Sequence, residues 1–166
     1  GLTGAGLRLL SVEHRENRQR SAEEARAIAQ ELELLLDGGR WTDRDGVQHP
    51  LTLDDVLVVA PYNAQVRCLR ATLPPGTRMG TVDKFQGQEA PVVFFSMASS
   101  SGDDVPRGMD FLFSRNRLNV AVSRAQVMTV VVCAPRLLWT RCSTVAQMQL
   151  VNMLCRFADD ATPVAR

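Results

Sequence analysis

The sequence predicts an α/β fold built around a mostly parallel sheet. Three short runs of apolar, largely β-branched residues occur at 56–60, 92–95 and 127–133. They do not alternate apolar with polar side chains, and continuous runs of this length are typical of strands covered on both faces, as in a parallel sheet. Segments with helical periodicity lie between them, and alternating strands and helices favour a parallel α/β arrangement.

The first elements of the chain are a weaker strand candidate at 7–12 and a helix. Ser21 and Glu24 are three residues apart and form the pattern of a capping box at the start of that helix. An apolar stripe with helical spacing follows, which predicts a face packed on the core. Gly38 and Gly39 are expected to end the helix.

The middle of the chain contains a hairpin, a helix and a loop. Asp45-Gly46 is a turn signal inside 40–52, which predicts a small β-hairpin inserted before the central strand. A helix is predicted at 64–73, followed by a second weak strand at 78–82. Residues 99–110 are rich in Ser, Gly, Asp and Pro and predict a long loop. Two more helices are predicted, at 115–125 and 144–158.

The composition is that of an ordinary globular protein, with 45% hydrophobic and 22% charged residues. A net charge of +1 leaves nucleic-acid binding open, because a local basic groove can exist within a neutral total. No apolar run approaches the roughly 18–20 residues of a membrane span, and residues 1–10 show no signal peptide. We therefore expect no membrane association. The four cysteines form no C-x-x-C pair, so we also expect a reduced intracellular protein with no metal site.

The first candidate motif is Val-Val-Ala-Pro-Tyr-Asn-Ala-Gln at 58–65, where a buried strand ends and a helix begins. Free backbone N–H groups at a helix start favour a phosphate, and ligands bind at the carboxyl ends of strands in open α/β sheets. Pro61 fixes the turn, Tyr62 offers a ring for base stacking, and Gln65 offers an amide. The alternative is an ordinary strand–helix turn with Tyr62 half buried.

The second motif is Gly-Thr-Val-Asp-Lys-Phe-Gln-Gly-Gln-Glu-Ala-Pro at 80–91. Asp83 can cap a short helical turn that Gln86 closes as a capping box. Gly87 permits a positive φ or the close approach of a ligand, and Glu89 can accept hydrogen bonds from ribose hydroxyls. The alternatives are a plain helix C-cap at Gly87 and a solvated carboxylate at Glu89.

The third motif is Asn-Arg-Leu-Asn-Val-Ala-Val-Ser-Arg-Ala at 116–125. Arg117 and Arg124 are seven residues apart, nearly two helical turns, so both leave the same helix face. Ala121 lies between them and leaves room for a ligand. Guanidinium groups suit a polyphosphate, and one aimed at a γ-phosphate can stabilise phosphoryl transfer. The alternative is a pair of surface arginines.

The order of these three motifs resembles the second motor domain of superfamily 1 helicases. The closest resemblance is to the branch containing the nonsense-mediated-decay RNA helicase and the Okazaki-fragment helicase–nucleases, and it covers roughly residues 7–140. It implies a RecA-like, P-loop NTPase-type three-layer sandwich over 1–166 as one domain. The chain contains no G-x-x-x-x-G-K-[ST] phosphate loop, so the resemblance implies a domain that lacks its own.

The resemblance also implies two sets of site residues. Nucleotide would be bound by Gln86, Gly87, Glu89, Arg117 and Arg124, with Arg124 as the catalytic arginine finger. Nucleic acid would be contacted by Pro61, Tyr62, Gln65, Thr81 and Lys84, although a solvated lysine is an equal alternative at position 84.

ATP with Mg²⁺ is the cofactor that the resemblance implies, bound mainly by a first motor domain absent from this sequence. The implied partners are that domain in the same polypeptide, single-stranded nucleic acid, with DNA favoured over RNA, and a possible fused nuclease. We therefore expect a fragment of a larger helicase that is inactive alone. Two alternatives remain: a catalytically inert nucleic-acid-binding or scaffold domain of helicase shape, and an unrelated nucleotide-binding α/β domain such as a flavodoxin-like one.

Overall fold

The structure is a computed structural model that describes residues 2–85, 87–102, 105 and 108–164, without the side chains of Arg115 and Asn116. Eight strands occur in these residues: β1 (Gly6–Ser11), β2 (Arg40–Thr42), β3 (Gln48–Pro50), β4 (Val56–Ala60), β5 (Arg78–Thr81), β6 (Ala90–Ser96), β7 (Ala125–Cys133) and β8 (Thr162–Pro163). Six of them form one sheet in the order β5-β4-β6-β7-β1-β8 with parallel neighbours. β2 and β3 form a separate antiparallel hairpin.

Helices cover both faces of the sheet. They are α1 (Ala22–Leu36), α2 (Asn63–Thr72), α3 (Met109–Leu112), α4 (Arg115–Arg124) and α5 (Val145–Asp160), with short 3₁₀ helices at Leu53–Asp55, Val82–Phe85 and Pro135–Trp139. α1 and α2 share one hydrophobic core with the sheet, and α3, α4 and α5 share the other. The predicted α/β class with a parallel sheet between two helical layers is confirmed.

The continuous apolar runs are explained by burial on both faces. Every residue of β4 and β6 is buried. Leu57 and Val59 pack into the core beneath α4 and α5, whereas Val56 and Val58 pack beneath α1 and α2. Cys133 at the end of β7 is also buried, and this burial raises the pKa of its thiol above the ordinary value. It acts as a small apolar residue of the core.

Element boundaries differ slightly from the sequence predictions. The strand predicted at 92–95 extends over Ala90–Ser96, and β7 begins at Ala125 directly after the last residue of α4. Within the predicted loop at 99–110, α3 begins at Met109. Residues 103, 104, 106 and 107 of that loop lie outside the described residues.

A β-bulge interrupts the pairing of β6 with β7 near its start. Ala90 is the register partner of Ala125, but Val92 is the partner of Met128, so β7 has one residue more than β6 in this interval. Pro91 lies opposite the additional residue. Because proline has no N–H to donate to a strand neighbour, it is tolerated inside a sheet mainly at such a bulge.

The predicted capping box at the start of α1 is only half formed. Ser21 Oγ accepts the Glu24 N–H at 3.1 Å, but the Ser21 N–H donates to Gln65 Oε1 at 2.7 Å. Glu24 instead turns into the protein, where its carboxylate is fully buried. It pairs with His14 Nε2 at 2.9 Å and accepts hydrogen bonds from Ser96 Oγ and the Ala98 N–H. This network ties α1 to the carboxyl end of β6.

Candidate functional site

The predicted nucleotide residues Glu89 and Arg124 lie side by side at the amino edge of the sheet. Glu89 directly precedes β6, and Arg124 directly precedes β7. Because the next residues, Ala90 and Ala125, are register partners, the two preceding residues start neighbouring parallel strands. A carboxylate and a guanidinium thus occupy one rim, although they are 35 positions apart in the chain.

Arg124 has a buried donor that the described residues leave unpaired. Its side chain is half buried at the end of α4, and its Nε atom is buried with no hydrogen-bond partner in the described part of the chain. Buried N–H groups are nearly always paired, since an unpaired one costs roughly 1–3 kcal/mol. An anionic ligand at this rim would supply the missing acceptor.

Glu89 is exposed beside a cavity of about 450 Å³ between the hairpin and the amino edge. Gln126 Nε2 donates a hydrogen bond to Glu89 Oε2 at 3.3 Å. The cavity is lined by Trp41, Thr42, Asp43, Arg44, Asp45, Glu89, Gln126 and Val127. No hydrogen bond to the second oxygen of the carboxylate occurs within the described part of the chain, so this oxygen can accept from a ligand.

Gly87 adopts the backbone conformation that the motif predicts. Its φ is +83°, and a Cβ added there would meet no atom within 4 Å, so the space beside it is open. Gln88 anchors the turn, because its N–H donates to the Phe85 carbonyl and its Oε1 accepts from Arg78 at 3.0 Å. A ligand can approach this backbone closely. The predicted nucleotide residue Gln86 lies outside the described residues.

Arg117 lies at the other end of α4 from Arg124. Its guanidinium carbon is 3.7 Å from the centre of the Phe111 ring, and it donates a hydrogen bond to the Phe111 carbonyl. The two arginines are seven positions apart, which separates them by about 10 Å along the helix axis. Ala121 is buried in the core, so the space expected beside it is filled. The structure therefore places Arg117 away from the rim at Glu89 and Arg124.

The structure corrects the predicted exposure of the Pro-Tyr motif at the carboxyl end of β4. Pro61 and Tyr62 are buried, and the Tyr62 ring packs on Phe111 with ring centres 5.3 Å apart. Gln65 is fully buried and donates to the Ser21 carbonyl and to Ser96 Oγ, both at 3.0 Å. These side chains are packed inside the protein, where they hold α2 in place.

Thr81 and Lys84 remain accessible at the edge strand β5. Thr81 is the last residue of β5 and is partly exposed at the carboxyl edge of the sheet. Lys84 is exposed, and its Nζ lies 5.6 Å from the Phe85 ring centre and 3.5 Å from the Met79 carbonyl oxygen. Thr81 thus lies at the opposite edge of the sheet from Glu89 and Arg124.

The sequence predictions do not place Gln126 or the hairpin at this rim. Gln126 is bonded to Glu89, and the only signal for it is a polar residue at the start of a buried strand. The hairpin that forms one wall of the cavity was predicted as an element, but nothing local indicates which edge it covers.

The described residues contain no cluster of three or more His, Cys, Asp or Glu side chains suited to a metal ion. None of the helices in this part of the chain is both long and apolar enough for a membrane crossing.

The fold and the motif order define a class: an α/β domain of RecA-like architecture. Residues 7–136 match the family described as AAA domain. The chain belongs to this family, in the C-terminal region of superfamily 1 helicases.

Three relatives illustrate the similarity. DNA polymerase alpha-associated DNA helicase A of Schizosaccharomyces pombe is 38% identical over 104 residues, covering 61% of this chain and 14% of that protein. DNA-binding protein SMUBP-2 of Rattus norvegicus is 31% identical over 133 residues, covering 78% of this chain and 12% of that protein. Probable RNA helicase armi of Drosophila melanogaster is 36% identical over 97 residues, covering 53% of this chain and 8% of that protein. The matched region is a small part of each relative, and it identifies a helicase domain.

Proposed function

We propose that this chain is the second motor domain of an ATP-dependent helicase, in which Arg124 is the arginine finger. The observation that carries the proposal is the buried, unpaired Nε of Arg124 on the rim that Glu89 also occupies. Desolvation of a donor without a partner is unfavourable, so this Nε is suited to an anionic acceptor from a ligand at the rim.

The rim fits a nucleotide in the chemistry of its side chains. Arg124 supplies N–H donors for γ-phosphate oxygens, Glu89 supplies acceptors for ribose hydroxyls, and Gly87 allows close approach to the backbone. The chain has no phosphate loop, so a first motor domain of the same polypeptide would hold most of the ATP and its Mg²⁺. The bound nucleotide would supply the phosphoryl group that is transferred to water.

Arg124 would act across the cleft between the two motor domains. Its permanent charge stabilises the charge that develops on the γ-phosphate oxygens during transfer. The same contact favours the closed arrangement of the domains before hydrolysis and is lost afterwards. Alternating closure and opening would then move a single strand along the carboxyl edge, where Thr81 and Lys84 are accessible.

The ligand at that edge would be single-stranded nucleic acid, and we propose DNA. Two of the three relatives are named for DNA and one for RNA, so the names support a nucleic-acid ligand more strongly than its type. The hydroxyl of Thr81 can donate to a backbone phosphate, and the ammonium of Lys84 adds a charge contact.

The test uses the full polypeptide that carries residues 1–166. Arg124→Ala should lower nucleic-acid-stimulated ATP hydrolysis by roughly 10³-fold or more, as expected for an arginine finger. Nucleotide binding by the first domain should persist. Arg70→Ala is the matched control, because Arg70 is an exposed arginine in the last turn of α2.

Wild-type turnover in the Arg124→Ala variant would refute the arginine-finger role. A wild-type protein that bound nucleic acid but showed no stimulated hydrolysis would instead favour the alternative of an inert scaffold of helicase shape.

A further inference from the structure

Trp139 is the most exposed large apolar side chain among the described residues. It is 83% exposed at the end of the short helix Pro135–Trp139, which follows β7. Val145 and Met148 are also exposed, by 66% and 51%, in the first turns of α5, which packs against this short helix. The Trp139 indole is the largest of these exposed groups, and it belongs to a side-chain type that is enriched at binding surfaces.

Two arginines accompany Trp139. Arg136 precedes it by three residues in a 3₁₀ helix, where side chains at i and i+3 leave the same face. Arg141 follows it by two residues. Both are exposed, and in the part of the chain that the structure describes neither guanidinium has a hydrogen-bond or ion-pair partner. We call Arg136, Trp139 and Arg141 the Trp139 patch.

The segment of the chain that carries the Trp139 patch has charge of one sign. Residues 134–158 contain three arginines and no acidic residue, although the whole chain has a net charge of only +1. Arg156 is the third arginine and pairs with Asp160 at 3.6 Å, so the unpaired positive charge is concentrated at the patch. An unbalanced positive patch attracts a polyanion.

The Trp139 patch lies at the same edge of the sheet as Thr81. β7 ends at Cys133 and leads into the short helix, just as β5 ends at Thr81. In the strand order β5-β4-β6-β7 the two ends are three strand spacings apart, about 14 Å. A single strand that crosses the carboxyl edge from Thr81 passes the end of β7, where the segment that carries the patch begins.

The segment around the Trp139 patch is held firmly and borders a cavity. Thr140 lies so close to Gly102 that a Cβ on the glycine would be 2.1 Å from Thr140 Cγ2. Arg141 also lines a cavity of about 380 Å³ together with Ser143 and Gln147. Gln147 Oε1 accepts hydrogen bonds from the Ser143 N–H and Oγ at 2.8 and 2.9 Å, which fixes this wall.

We propose that Trp139 is a stacking platform for a base of single-stranded nucleic acid, with Arg136 and Arg141 contacting the adjacent phosphates. An exposed indole presents a flat face that any base can stack on, and arginine forms charge-assisted hydrogen bonds with phosphate oxygens. Trp and Arg are also common at protein interfaces, so self-association is one outcome of the test below. Nucleic acid is favoured because the unpaired charge is positive and the segment leaves the sheet at the same edge as Thr81. The proposal rests on the nucleic-acid-binding part of the proposed function. It adds a contact that lies outside the three sequence motifs at 58–65, 80–91 and 116–125.

The chain offers a direct probe, because Trp41 and Trp139 are its two tryptophans. In a Trp41→Phe background the fluorescence reports on Trp139 alone. Titration of the full chain with oligo-dT should quench this fluorescence as a base stacks on the ring. Trp139→Ala should weaken oligo-dT binding, measured by anisotropy of a labelled oligonucleotide, by at least about fivefold. Trp139→Phe should recover most of the affinity.

The arginines are tested through salt dependence. Arg136→Gln and Arg141→Gln should each reduce the slope of log affinity against log salt by about one, as expected when a phosphate contact is lost. Circular dichroism and thermal unfolding should match the wild type for the variants at Arg136, Trp139 and Arg141, because all three side chains are exposed.

Thr81→Ala separates failure of this proposal from failure of the proposed function. If Thr81→Ala weakens oligo-dT binding and Trp139→Ala leaves it unchanged, the stacking platform is refuted and the nucleic-acid face stands. If the wild-type chain shows neither binding nor quenching, both are refuted. If Trp139→Ala changes self-association in sedimentation while oligo-dT affinity is constant, the Trp139 patch is a protein interface and the proposal is overturned.

Discussion

Gln126 Nε2 donates a hydrogen bond of 3.3 Å to Glu89 Oε2. This bond joins the starts of two neighbouring central strands. The contact occurs at the bulge opposite Pro91, where β7 carries its additional residue. Bulges commonly redirect a side chain near a functional site. Here the bulge brings an amide to the carboxylate, so the turn after Gly87 and the end of α4 at Arg124 share one rim.

Glu89→Ala should remove the preference of the full polypeptide for a nucleotide with ribose hydroxyls. Wild-type protein should bind ATP about tenfold or more tightly than 2′,3′-dideoxy-ATP, because a hydrogen bond to a charged group contributes roughly 1.5–3 kcal/mol. The variant should bind both equally in a calorimetric titration. Glu33→Ala, at an exposed site on α1, is the control. A variant that still prefers ATP would show that Glu89 does not contact the ribose.

Phe111→Ala should loosen the first turn of α4, the helix that ends at Arg124. The Phe111 ring packs on the Arg117 guanidinium of α4 and on the ring of Tyr62, which lies just before α2. We expect reduced stimulation of ATP hydrolysis by oligo-dT in the full polypeptide, with unstimulated hydrolysis near the wild-type rate. Phe111→Tyr keeps the ring and should behave as wild type. Equal stimulation in the alanine variant would mean that the stack is only structural.

Glu24→Ala should destabilise the chain more than other glutamate substitutions in α1. Removing the carboxylate leaves His14, Ser96 Oγ and the Ala98 N–H without a buried partner. Breaking a buried pair in this way costs about 3–5 kcal/mol. Urea unfolding measures the loss, and Glu33→Ala should stay within about 0.5 kcal/mol of wild type. Similar losses in both variants would argue against a structural role for the network.

The stability of the hairpin should depend on pH, because hydrogen bonds to the Asp43 carboxylate hold it together. The hydrogen bond from His49 Nε2, at 2.7 Å, holds the pKa of Asp43 below its usual value, and backbone N–H groups of Val47 and Asp45 add to this. A lowered folded pKa means that the stabilisation is fully present above the ordinary Asp pKa and is lost as the pH falls through the folded value.

Carbon NMR of the Asp43 carboxyl group measures this titration. The midpoint should lie below that of the same residue in a peptide spanning 40–50, and His49→Ala should move it upward. A midpoint equal to that of the peptide would show that the hydrogen bond does not persist in solution.

Much of the fold could be predicted because its signals are local. The apolar runs of β4, β6 and β7 need burial on both faces wherever they are placed, and helical periodicity marks α1 and α2 in the same way. Side-chain exposure is not local. Tyr62 carries a ring suited to stacking, but Phe111 covers it from 49 positions further along the chain. Gln65 is equally suited to a ligand, yet Ser21 and Ser96 occupy its amide.

The amino-acid order was sufficient to establish the α/β class, the helicase resemblance and the residue types of the nucleotide motif, since each depends on short-range spacing. The division of those residues between two edges of the sheet depended on folding. Strand register makes Ala90 the partner of Ala125 and so brings Glu89 beside Arg124. The length of α4 carries Arg117 to Phe111 instead. Register and packing join residues far apart in the chain, so no local pattern could reveal these contacts.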